Sequence, residues 1–462
     1  MNSLKTKVRL GTVKRLLELA RALPEFEESL ESNLQGWNLE LSAVEAKAIL
    51  QGNSPLLVDF QEREKEKTRH RLSLRQECVP LHPGLQAWRS RQEARCLSEL
   101  GGHRHQVILH YPAAFELTSG CSVGCWFCGF AAPPLTGKFG ATESNLSLWR
   151  EVLEALRDRV GPGARRAFGY WATDPLDHPD YEVFCRQFYD VLGGWPRTTT
   201  ALGARDVERT RALLSESRER GCRTDRLSVL SKGDLKRLYQ AFQPDELLDV
   251  ELIIHLTGSH LLRSTSGRAR ARVEQGKRVA RDFPTVAEEA GTIACVSGFL
   301  VEMPRRRVRL ISPCRATDER PLGYRVVAEA SFQSGEEFGQ ALEELTSPDK
   351  LEIAPADDRI LRFRSDLALE PRGVKSAYRL HQISAGQSST SEPLHLEPCS
   401  LSPASYLGGE SSEALELLLH RLANGGISMG EAIGILHLMH DQSPRVTASR
   451  LAELWGLGLL EE

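Results

Sequence analysis

The sequence predicts an α/β protein whose central part is an open, partial (β/α) barrel. Between residues 109 and 316, short strand-like runs alternate with amphipathic helical stretches, the pattern of a parallel sheet with right-handed crossovers. Five to six such units fit this length, which favours an open fragment over a closed eight-fold barrel. Three cysteines crowd into eight residues just after the first of these strands, at the kind of strand end where such sheets build active sites.

Composition agrees with a globular protein. The chain has 462 residues, too many for one compact domain. Its 59 Lys and Arg against 62 Asp and Glu leave a net charge of −3, which gives no reason to expect nucleic acid. No apolar run approaches the about 18 residues of a membrane span, and the N-terminus lacks the apolar core and cleavage site of a secretory signal. Ten cysteines in a chain this long are too sparse for a disulfide scaffold, so a reducing cytoplasm is expected, with no membrane and no nucleic acid among the partners.

Residues 1–108 read as mainly helical. Leu10, Val13, Leu17 and Ala20 recur at helical spacing, and the alternating charges at 62–67 suit a solvated helix face. Residues 109–316 form the barrel. Its first strand is Ala114–Leu117. A helix striped by Trp149, Val152, Leu156 and Val160 stops at Gly161. Phe168–Trp171 is the second strand, followed by a helix carrying Val183, Phe184, Phe188 and Val191. Further strands are expected at 197–201, 226–230, 248–254, 292–296 and 306–311. Residues 317–356 connect to a last region, 357–462. There 358–371 reads as a strand, a turn and a hairpin, 384–403 as a Ser/Pro-rich linker, and the remainder as three short helices.

The crowded cysteines are Cys121, Cys125 and Cys128, spaced CxxxCxxC. Soft thiolates on so tight a loop suit zinc or an iron–sulfur cluster. A structural zinc site wants four protein ligands, and no second CxxC pair exists in the chain. On a four-iron cluster, three cysteines leave one iron open to an outside ligand. Gly120 and Gly124 remove side chains where the backbone is expected to pass close to such a cluster.

In spacing and setting this motif resembles the radical S-adenosylmethionine (radical SAM) superfamily. The resemblance implies one [4Fe-4S] cluster held by Cys121, Cys125 and Cys128. SAM would chelate the open iron and be cleaved reductively to a hydrogen-abstracting 5′-deoxyadenosyl radical, with an electron donor such as flavodoxin or ferredoxin. In the superfamily a Gly-Gly-Glu-Pro segment ends the second strand and holds the SAM amine. Here that place reads Ala172-Thr173-Asp174-Pro175. Both glycines are missing, and Asp174 stands for the acid, with Thr173 beside it; the same Asp-Pro also reads as a helix start. By the same resemblance Phe127 packs on the adenine, with ordinary core packing as its other reading. Ser228 and Ser231 sit where ribose or carboxylate contacts arise.

Three longer segments are similar to the proteusin-type radical SAM peptide epimerases: FELTSG running into CSVGCWFCGF, then YWATDPLDHPDY, then LISPCRATDERPLGYRV. The similarity spans about residues 110–335 and continues toward the C-terminus. It implies that L-residues of a ribosomally made precursor peptide are turned into D-residues by Cα hydrogen abstraction and return of a hydrogen atom from a thiol. Cys314 follows the expected strand 306–311 and is read as that donor on the edge occupied by the cysteine loop, with Cys295 the runner-up. The order of elements in 357–462 is similar to the winged-helix-like leader-peptide recognition element of such systems, and a helical cap is its other reading. Two further readings stay open. One is another radical SAM peptide maturation, such as thioether formation or methylation. The other is a non-catalytic peptide-binding protein with a structural metal site.

Overall fold

A computed structural model describes residues 4–23, 25–256, 266–275, 291–351, 358–372, 377–382, 412–440 and 442–461. The expected linker 384–403, with Cys399, lies outside the described residues. The protein is a mixed α/β fold, and no closed barrel forms among the described residues.

The barrel part is built on strands β1 (Tyr111–Glu116), β2 (Thr199–Thr200), β3 (Arg226–Val229), β4 (Glu251–Ile254), β5 (Val296–Glu302), β6 (Arg307–Pro313) and β7 (Tyr324–Ser331). β2, β3 and β4 pair in parallel, as their alternation with helices predicts. The expected strand at 168–171 reduces to one parallel bridge, Ala114 to Phe168. After β4 the expectation fails. The next strand begins where the apolar run 292–296 ends and pairs in parallel with β1, Tyr111 opposite Val296. It therefore adds to the far side of the first strand instead of continuing beyond β4. β6 and β7 then run antiparallel, giving the order β1–β5–β6–β7. Only the units up to β4 follow one another as parallel crossovers.

Alternation along these strands separates two faces. Ala113, Phe115, Phe299, Val301, Val308 and Leu310 pack outward on the helices Glu143–Val160 and Gly335–Leu345. Ala114, Leu300 and Ile311 face inward with Phe130, Trp171 and Tyr324. The helix after β1 ends as its sequence requires: Gly161 takes φ +81 and donates its N–H to Arg157 O.

The N-terminal region is helical, but its buried stripe runs Leu10, Val13, Leu16 and Leu19, with Leu17 and Ala20 only half-buried. These residues share one core with 204–256, so residue 108 does not bound a separate core. The charged run 62–67 is also less solvated than expected: Arg63 pairs with Asp249 at 2.5 Å, and Lys67 Nζ donates to Leu248 O. Residues 361–460 have a core of their own. The strand Ile360–Phe363 does not form the expected hairpin; it lies between Ile427–Ser428 and Leu460–Glu461, and the hairpin joins Leu367–Arg372 to Ala377–Gln382. The three helices are Ser412–Ala423, Met429–His440 and Pro444–Gly456. Arg364, fully buried, ties this unit to the rest by donating to Ser98 Oγ, and braces the unit itself by donating to Gly458 O.

Candidate functional site

The chain leaves the C-terminal end of β1 through a short ladder between Thr118–Ser119 and Gly137–Lys138, and the cysteine loop fills the space between. Gly120 (φ +84) makes the entry possible. A Cβ there would stand 2.2 Å from Pro134 O, because Cys121 bridges to Pro134. The closeness expected of this glycine is thus to the loop's own returning backbone. Gly124 (φ +66) faces open space and contributes only its left-handed conformation. Gly120→Ala is expected to cost about 1–3 kcal/mol from backbone strain together with the clash. It should lower both Tm and the iron retained on reconstitution more than Gly124→Ala does, as a melting curve and an iron assay on each variant will read.

Cys121, Cys125 and Cys128 are half-buried and free. Burial pushes the Cys121 thiol up to about 11 and Cys125 to about 12, the latter helped by the nearby charges of Cys128 and Cys121. Backbone N–H groups of Val123 and Gly124 point at the Cys121 sulfur, and Ala132 N–H lies 3.4 Å from that of Cys128. Such N–H···S contacts are the means by which proteins hold and tune cluster thiolates. The residues present thus fit a cluster with soft sulfur ligands. Among the described residues no set of three His, Cys, Asp or Glu side chains could hold a single metal ion, whereas thiolates on separate irons of a cube need not meet at one point.

Residues that the sequence did not single out fix this loop. Ser122 N–H donates to Asp177 Oδ2 at 2.8 Å, joining the cysteine motif to the turn Pro175–Asp177. Arg268, opening the helix Gly267–Glu274, donates its backbone N–H to Cys128 O and its guanidinium to Cys125 O and Ala132 O. The 172–181 turn is itself rigid: buried His178 links Phe139 O and Asp180 N–H, and Arg209 binds the carbonyls of Leu176, His178 and Pro179. No local sequence signal marks Asp177 or Arg268 for these roles, since each contact spans more than 50 residues.

On the inner face, Glu116 at the end of β1 stands opposite Glu302 at the end of β5. Glu116 accepts Ala172 N–H at 2.8 Å. Glu302 accepts Arg307 at 2.6 Å and Arg309 at 2.9 Å. Burial and the Glu302 charge raise the Glu116 carboxyl to about 8. Burial pushes Glu302 up as well, but Arg307 and Arg309 outweigh it and hold that carboxyl below its usual range. At neutral pH the pair is therefore one neutral acid beside one carboxylate.

The residues expected to contact SAM also have partners within the protein. Asp174 is buried near Cys121 and Cys125, yet its oxygens already accept Leu176 N–H, Thr200 Oγ1–H and Ala201 N–H. It caps the turn Pro175–Asp177, as its helix-start reading expects, and ties that turn to the end of β2 through Thr200 and Ala201. Thr173 lies half-buried in the bend before it. Phe127 stacks one face on His255 at 4.0 Å between ring centroids. Ser231 caps the helix Lys232–Ala241. Ser228 sits on the inner side of β3, opposite in alternation to the buried Leu227 and Val229.

Cys314 needs a correction. β6 runs antiparallel, so its C-terminal end lies beside the starts of β1 and β5, not at the edge where the cysteine loop leaves. The thiol is fully buried near Glu99, Arg95 and Arg320, beneath the helix Pro83–Leu100. Cys295 also lies at the start of β5, half-buried, with Arg197 Nη2 3.8 Å from its sulfur. Cys185 is buried in the core among Phe184 and Phe188, as its helix predicts.

No family model matches the chain. It is similar to the uncharacterized protein y4wI of Sinorhizobium fredii, with 41% identity over 317 residues, 68% of this chain and 61% of that protein. The chain thus spans about three-fifths of the length of that curated relative. Among solved structures, BtrN in complex with AdoMet and 2-DOIA aligns with a TM-score of 0.34 at 16% identity, over 52% of this chain and 84% of that one, a likeness too distant to bear on fold or function. No helix among the described residues is long and apolar enough to cross a membrane.

Proposed function

We propose that the chain is a radical SAM enzyme, and that it epimerises residues of a ribosomally made precursor peptide. The observation that carries the first part is the CxxxCxxC loop: three half-buried thiols near one another at the C-terminal end of a parallel strand, with backbone N–H donors aimed at sulfur. Bound there, a [4Fe-4S] cluster with SAM on its open iron would supply one-electron cleavage of the sulfonium and so a hydrogen-abstracting radical. The chain's own residues hold the thiols in place. Asp177 and Arg268 pin the loop, Gly120 lets it close, and Glu116 fixes the bend that follows Trp171 through Ala172 N–H. Phe130, Trp171 and Tyr324 line the inner face as an aromatic wall that limits water.

The second part rests on the three sequence segments similar to proteusin-type epimerases. In this reading residues 361–460 bind the leader. The hairpin Leu367–Arg372 with Ala377–Gln382 forms a two-stranded sheet, and an extended leader adds to such an edge by main-chain hydrogen bonds. The electron comes from a flavodoxin or ferredoxin.

The test is incubation of anaerobically reconstituted protein with its precursor peptide and SAM in deuterated water. The expected product has inverted residues carrying deuterium at Cα and no other mass gain. A thioether or an added methyl group would replace this reading with another maturation. Cys295 and Cys314 both lie at the end of the sheet away from the cysteine loop, so Cys295→Ala and Cys314→Ala are each expected to invert peptide as the wild type does. A variant of either that forms 5′-deoxyadenosine but no D-residue would identify it as the hydrogen-atom donor and overturn that expectation.

A further inference from the structure

At the opposite pole of the barrel, the N-terminal ends of the parallel strands gather an unusual set of side chains. Tyr111 opens β1, Arg226 opens β3, Glu251 opens β4, Arg197 stands two residues before β2, and Cys295 immediately precedes β5. From below, the helix Pro55–Glu77 brings Arg71, whose charged neighbours are Arg226, Glu251 and Arg197. All three guanidiniums lie within electrostatic reach of the Cys295 sulfur, which marks their common centre.

The charges there do not balance. Three arginines face two carboxylates: Glu251 is already taken by Arg226 Nε at 2.7 Å, and buried Asp225, within reach of Arg197, accepts Thr198 N–H and the Ser217 hydroxyl. Arg197 is 9% exposed, caged by Tyr111, Phe168 and Tyr170 with its guanidinium carbon 4.6, 4.9 and 5.9 Å from the three ring centroids. Its Nε has no hydrogen-bond partner among the described residues, and neither does the buried Tyr111 hydroxyl. Half-buried Arg71 makes no ion pair among the described residues. Buried donors left unmade cost about 1–3 kcal/mol each, and like charges in one recess add to that. Each group is explained if an anion completes the set.

We propose that this recess is a binding site for a small oxyanion, a carboxylate or a phosphate group, held by Arg71, Arg197 and the Tyr111 hydroxyl. Arginine forks match both oxyanions. Glu251, half-exposed at its side chain, marks the solvent side from which the anion enters. The site is separate from the cysteine loop and does not depend on the radical SAM reading.

The test titrates the full chain, in a buffer free of carboxylate and phosphate, with inorganic phosphate in one arm and acetate in the other, read by calorimetry and by Tm. Saturable binding in either arm is expected, and the tighter arm names the anion's chemistry. Arg71→Gln should weaken it by about ten- to a hundred-fold, the worth of a charge-assisted hydrogen bond. Tyr111→Phe should leave the anion-free protein as stable as before, since it removes an unpartnered hydroxyl, yet weaken binding. Arg186→Gln, at an exposed pair with Glu216, should change nothing. Absence of saturable binding to the wild-type chain, or equal binding by the Arg71 and Tyr111 variants, overturns the proposal.

Discussion

Replacing Cys125 by Ala is expected to abolish the iron–sulfur chromophore of anaerobically reconstituted protein and to reduce 5′-deoxyadenosine formation to background. The reason is positional. Cys125 is central in the motif, its sulfur near both Cys121 and Cys128. Losing an outer-shell partner typically costs about 10–100-fold in metal affinity or activity, and losing one of three ligands should exceed that. Asp177→Asn supplies the comparison. It keeps an oxygen for Ser122 N–H and should retain iron, with a loss no larger than that outer-shell range. Iron, sulfide and absorbance measured on wild type and both variants decide it. A Cys125→Ala protein that keeps a full cluster and cleaves SAM refutes the assignment of the loop.

The largest stability effect is expected at Glu302. Its carboxylate is 6% exposed as a residue and neutralises Arg307 and Arg309 together. Glu302→Ala leaves Arg309, and in part Arg307, which keeps Glu329 at 3.6 Å, facing only the Glu116 carboxyl, a loss of at most about 3–5 kcal/mol by analogy with other broken buried pairs, measurable by urea denaturation. Glu116→Gln should behave differently. The amide can still accept Ala172 N–H and donate to Glu302, so little is lost at neutral pH. What changes is the pH profile. The Glu116 carboxyl rises from an ordinary 4.5 to about 8 on folding, so between those values the folded state holds a proton that the unfolded state has released. Stability therefore falls as pH climbs from about 4.5 to 8 and the loss is complete above that. Glu116→Gln removes this contribution and should flatten that part of the curve. An unchanged slope would place the proton elsewhere.

Local pattern made part of this site legible. The cysteine spacing, the first strand, the cap at Gly161 and the core position of Cys185 all follow from residues within one or two turns of each other. What could not be read is how the chain closes on itself. Val296–Glu302 is buried on both faces, so it lacks the alternation that would reveal its neighbour, and nothing local says that it docks on β1 instead of beyond β4. That single pairing reverses the edge at which Cys314 emerges and brings Glu302 to Glu116. The cap at Asp174 was legible too, since an Asp-Pro start needs only the nearby Leu176 N–H.

The docking of β5 on β1 has a consequence for biosynthesis. Tyr111 meets Val296, so on the ribosome the strand that carries the cysteine loop emerges 185 residues ahead of its neighbour. At about 5–20 residues per second that is a delay on the order of ten seconds or more. During it one edge of the nascent strand stands unpaired while all three thiols are already exposed to solvent or to any machinery that delivers iron. Synthesis therefore opens a window in which a cluster could be inserted before the sheet is complete.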